Sequence, residues 1–151
     1  MRILAFILLF LFQGVTGQTS YFTRNIEWQV PEPEGEQGIL EDITSFSSSY
    51  YKDYKSLYPW YYEKIPLNQN IENFSLTMHQ AKVQEFPKEY LPDYFIEELG
   101  TDFKLESYPG IESGKKNIQY SLFPFRLNPV SGKAERLVSF ALKLDYQEIS
   151  P

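Results

Sequence analysis

The chain contains no cysteine. Within these residues that removes disulfides, thiolate zinc sites and a cysteine nucleophile. It holds one histidine, His79. An imidazole-rich metal site therefore lacks its ligands, although a single imidazole is formally enough for a hydrolytic triad. A lone histidine beside a shift of strand phase reads as a structural residue, not as a base or a ligand. Positive charge is also short: 14 Lys and Arg stand against 20 Asp and Glu, for a formal charge of −6. A nucleic-acid groove needs clustered Lys and Arg, and Lys52 and Lys55 beside the main aromatic run are too few. Gly114-Lys115-Lys116 lacks both the leading glycine and the following Ser or Thr of a phosphate loop. No internal repeat is present. After residue 12 no apolar run is long enough to cross a bilayer, which takes ~20 residues.

The one long apolar run is Ile3 to Phe12. It follows Met1-Arg2 and precedes Val15-Thr16-Gly17, the small-residue pattern of a cleavage site. This predicts a secretory signal peptide over 1–17, cut after Gly17, and an exported chain in the periplasm, outer membrane or cell surface. The alternative is an uncleaved N-terminal anchor. The length allows one ordinary domain with tails.

What the chain has in excess is aromatic: 12 Tyr and 12 Phe bring Phe, Trp and Tyr to 17%, a composition that favours strands. Arg136 to Tyr146 alternates, with Val138, Phe140, Leu142, Leu144 and Tyr146 on one parity, so one face is apolar. Asn117 to Leu127 begins in phase at Ile118, Tyr120 and Leu122 and shifts phase at Phe123 and Phe125. With Asn128-Pro129-Val130-Ser131-Gly132 between them, the two segments predict a hairpin from Lys116 to Gln147, bulged or at an edge near Pro124. Ile26, Trp28 and Val30 alternate as a short strand. Pro31 to Gly38 reads as a solvated acidic loop, and Ile39 to Ser49 as a connector. Ile71 to Glu85 reads as a strand with a bulge near His79. Asp93 caps a short helix that Gly100 ends. Glu97 and Glu98 diverge by about 100° on that helix and make no acid/base pair. Asp102 to Tyr108 alternates as a strand, and Pro109-Gly110 signals a turn.

The fold class that follows is mainly β: an antiparallel, β-sandwich-like domain with a C-terminal hairpin, one short helix and long irregular loops. The expected organisation is signal peptide 1–17, N-terminal strand and irregular linker 18–57, and β-rich domain 58–151. The aromatic run from Tyr50 to Tyr62, with Trp60 and Tyr61 at its centre, either covers the sheet or stacks on a sugar or peptide ligand. No catalytic residue, metal ligand or cofactor is assigned.

Two stretches carry a family resemblance. Tyr58-Pro-Trp-Tyr-Tyr-Glu-Lys-Ile-Pro-Leu67 resembles a segment near the start of the type IX secretion sortases of Bacteroidota, the PorU group of gingipain-related, C25-family cysteine peptidases. Phe123-Pro-Phe-Arg-Leu-Asn-Pro-Val-Ser-Gly-Lys-Ala-Glu-Arg-Leu-Val-Ser-Phe140 is similar to a hairpin of the same region, with Phe125 and Ser131 as departures. The resemblance implies a non-catalytic, propeptide-like leading domain, while the peptidase Cys and His lie in a later domain. It also implies a partner: a peptidase domain in cis or a secretion-system protein. Arg126, Trp60 and Tyr61 are the residues it offers as partner contacts. For Arg126 the competing role is a salt bridge on the hairpin. The competing function for the whole is a free-standing exported module that binds sugar or peptide through surface aromatics.

Overall fold

The structure, a computed structural model, describes residues 17–28, 46, 50–52, 59–67, 71–88, 91 and 93–148, with backbone only at 50–52, 72 and 148. The expected signal run before Gly17, the expected acidic loop from Pro31 to Gly38, Tyr54, Tyr58, and all of the expected connector from Ile39 to Ser49 except Phe46 lie outside the described residues. The elements in order are β1 (Gly17–Asn25), β2 (Tyr50–Lys52), β3 (Pro59–Pro66), β4 (Ile71–Phe86), α1 (Asp93–Glu98), β5 (Lys104–Glu112), β6 (Lys115–Phe123), β7 (Phe125–Leu127) and β8 (Ala134–Glu148).

They form two antiparallel sheets. One runs β1-β8-β4, with β7 also on β8; the other runs β2-β3-β6-β5. The inner faces meet through alternating side chains, as in a sandwich. Ile118, Tyr120 and Leu122 of β6 face Phe140, Leu142 and Leu144 of β8, all at or below 2% exposure. Tyr61 crosses the gap edge-on to Phe140, ring centroids 5.3 Å apart. The expected sandwich-like antiparallel fold and its one short helix are present.

The long hairpin from Lys116 to Gln147 is not. β6 pairs with β3 and β5 in one sheet, and β8 belongs to the other. Pro124 is the corner between them. It cannot donate to a ladder, but its carbonyl accepts the Leu137 N–H at 2.9 Å. At such a corner the strand changes sheets, so Phe123 and Phe125, adjacent in parity terms but on different sheets, are both buried. What remains of the hairpin is β7 against Ala134 to Arg136. Its turn follows expectation: Gly132 takes φ 68°, and Asn128 Oδ1 accepts the Val130 and Ser131 N–H groups, both at 2.9 Å.

Other boundaries move as well. The N-terminal strand is Gly17–Asn25, not Ile26 to Val30; Trp28 makes only an isolated bridge to Phe46. β1 pairs along its whole length with β8. β5 runs through Pro109-Gly110 and turns at Ser113-Gly114, where both residues have positive φ. Proline survives there because β5 is a sheet edge. In β8 the buried residue is Leu137, at 0%, while Val138 is 38% exposed; the β4–β8 register breaks between Lys82 and Val83 and resets the parity. The bulge at His79 is where the phase shift put it, between Met78 and Gln80.

Candidate functional site

One end of each stretch that carries the resemblance lies at one pole of the sandwich; Tyr61, Ile65, Leu137 and Phe140 belong to the main core. Trp60 of β3 packs on Phe123 at 5.4 Å. Phe123 and Phe125 are 5.5 Å apart, and α1 adds Phe95 at 5.3 Å from Phe125. Phe86, Leu91, Leu99 and Ala134 complete this second core cluster. The helix forms because Asp93 starts it and Phe95 and Leu99, four apart, share its buried side. The segment after it docks on β7: the Leu127 N–H donates to the Gly100 carbonyl at 2.8 Å.

Arg126 lies in this pole, and its side chain runs along the protein. Nε donates to Glu135 Oε2 at 2.8 Å, and the guanidinium sits 4.6 Å from the Phe103 ring centre. Glu135 is 3% exposed. Its other oxygen accepts from Asn128 Nδ2 at 2.7 Å. Burial pushes the Glu135 carboxyl up, and the bonds from Asn128 and Arg126 outweigh it, so the net shift is downward. The salt-bridge role expected of Arg126 is therefore present. Tyr61 is 3% exposed and packs in the main core, so its ring offers no surface for a ligand or partner. Trp60 is half-buried. Tyr62 is also half-buried, and its hydroxyl donates to Gln119 at 3.1 Å. The side chains described in this run, those of Trp60, Tyr61 and Tyr62, thus pack on the sheet.

A second ionic centre, part-buried, lies between the sheets. Glu63 shares inner parity with Tyr61 and Ile65 on β3, and it receives three side chains. Arg24 of β1 donates from Nε and Nη2, the latter at 2.6 Å to Oε1. Tyr120 and Tyr61 hydroxyls donate to Oε2 at 2.6 and 3.0 Å. Burial raises the Glu63 carboxyl, but the bonds from Arg24, Tyr120 and Tyr61 bring it below the ordinary range. Burial first, and then the charge of Glu63, push the Tyr61 phenol up to about 12. Tyr120 moves up for the same leading reason. The signal was present in the sequence: a carboxylate at a core-facing strand position requires a cation or several donors. Which ones could not be read from β3 alone.

Neither carboxylate is poised for proton transfer, because both oxygens of each are already bonded. His79 lies exposed on the outer face, its ring 5.2 Å from that of Tyr21. Among the described residues no group of three or more His, Asp or Glu could hold a metal ion. No described helix is long and apolar enough to cross a membrane.

No protein-family model matches the chain, and no curated protein matches it. Among solved structures, the complex of Porphyromonas gingivalis RgpB pro- and mature domains aligns over 87% of this chain and 81% of that chain, at 10% identity and a TM-score of 0.48. A likeness of that size lies below what establishes a common fold.

Proposed function

We propose that this chain is an exported, non-catalytic leading module of a gingipain-related cysteine peptidase, and that it packs on the peptidase domain. The observation that carries the reading is the contact of Trp60 with Phe123. It joins the two stretches that resemble the sortase N-terminal region, although some 60 residues separate them in sequence, by the numbering. The chemistry agrees in kind: the part-buried Arg24–Glu63 pair and the buried Glu135 with Arg126 hold β-strands together. Arg126, tied to Glu135 and laid over Phe103, serves the module's own architecture. The sugar- or peptide-stacking alternative loses Tyr61, which is buried in the main core.

The test is the nucleotide sequence after the codon for Pro151, followed by co-expression. The reading frame, or an adjacent gene, is expected to encode a peptidase domain with a Cys and a His. That domain is expected to co-purify with this module. A stop codon with no peptidase gene nearby, or a peptidase that elutes separately from the module, sinks the proposal.

A further inference from the structure

Among the described residues the sandwich has four strand edges, and they are not equally protected. Unprotected edges template pairing with other chains, and proteins blunt them with bulges, proline, charge or shortness. β4 breaks register at three places. β5 carries Pro109 in its middle. β2 is three residues long. β1 has none of these devices: nine residues pair with β8 in unbroken register, without proline. Its single charged side chain, Arg24, is committed to Glu63.

The direction of the free groups follows from one bond. The Ile26 N–H donates to the Val138 carbonyl at 2.8 Å. Backbone groups alternate sides along an antiparallel strand, so even-numbered residues of β1 bond to β8. The N–H and C=O groups of Thr19, Tyr21, Thr23 and Asn25 then point to the open edge. One of these carbonyls, that of Thr23, accepts from Arg24 Nη1 at 2.9 Å, which leaves its second lone pair. Among the described residues no strand other than β8 pairs with β1.

We infer that β1 is a homodimerisation edge, which pairs antiparallel with β1 of a second copy about a two-fold axis through Tyr21. The occupant follows from side-chain matching. In that register Tyr21 meets Tyr21, Thr19 meets Thr23, and Arg24, whose charge is matched by Glu63, meets Gln18. Thr–Thr and aromatic cross-strand pairs are favourable, and no like charges face each other. Tyr21, 59% exposed, sits at the axis. A two-fold contact of this kind is self-complementary and closed, so it ends at two copies. Pairing of a single nine-residue edge is small, and it belongs with weak interfaces.

The test is sedimentation velocity on the exported protein across about 10–1,000 µM, the range suited to a small interface. Wild type is expected to shift from monomer to dimer. Tyr21→Lys and Tyr21→Glu put like charges at the axis, and each is expected to weaken dimerisation at least tenfold; an equimolar mixture of the two restores it. Tyr21→Pro removes an edge donor without touching a bond to β8, and it is expected to abolish the dimer if either charged variant fails to fold. A wild type that stays monomeric at 1 mM overturns the inference. So do charged variants that dimerise as well as wild type, or a mixture that remains monomeric.

Discussion

At the scale of the residue, the main lesson is Glu63. A carboxylate held by a guanidinium and two phenols stitches β1 to β3 and β6, and so one sheet to the other. Its folded-state carboxyl lies below the ordinary range. The stabilisation it brings is therefore complete above the unfolded carboxylate range and is lost as pH falls through the lower folded value. Tyr61 acts at the opposite end. Its phenol is raised from 10.0 to about 12, so its contribution holds below pH 10 and is lost as pH climbs toward 12. Urea midpoints measured from acid to alkaline pH are expected to decline at both ends. Glu63→Gln is expected to lose about 1–3 kcal/mol at neutral pH, the range for bonds to a charged group. It is also expected to flatten the acid decline. An unchanged acid limb in that variant would move the pH sensitivity elsewhere, Glu135 being the next candidate.

At the scale of the element, the turns divide clearly by cause. Asn128 to Gly132 was legible because its chemistry is local: an Asn side chain caps two amides and a glycine takes φ 68°. The β5–β6 turn was displaced in the sequence reading because Pro109-Gly110 is the louder signal. The actual turn uses Ser113 at φ 49° and Gly114 at φ 76°. Two positive φ values are what a tight hairpin with the strands' own twist demands, and Asn-Gly suits it best. Ser113→Asn is expected to stabilise the protein by about 0.5–1 kcal/mol, since asparagine tolerates the left-handed region better than serine. Thermal unfolding checks this; a lower melting temperature would mean that the turn conformation is wrong. Pro124 is the other place where local pattern and fold differ. A phase shift followed by proline fits an edge, a bulge or a corner equally well, and only the partner strands distinguish them.

At the scale of the whole molecule, β8 is the hub, flanked by β4 on one side and by β1 and β7 on the other. The N-terminal segment is thus part of the body. A chain starting at Ile26 loses the ladder on one flank of β8 and leaves the part-buried Glu63 without Arg24; losing a hydrogen-bonded charged partner costs about 1.5–3 kcal/mol before the ladder is counted. Small domains hold roughly 5–15 kcal/mol in all. That chain is expected to be largely unfolded by circular dichroism and near-ultraviolet signal; a native-like melt would demote β1 to a tail. The sequence by itself determined the strand class, the bulge at His79, the helix from Asp93, the glycine turn at Gly132 and the absence of thiol chemistry. Each depends on neighbours within a few residues, through parity, capping or positive φ. Only the tertiary structure decided that β6 and β8 part company at Pro124, that Arg24 reaches Glu63 and that Arg126 lies against Phe103. Those are matters of which surfaces meet across long stretches of chain, and side-chain periodicity states which face is apolar without saying what it will be buried against.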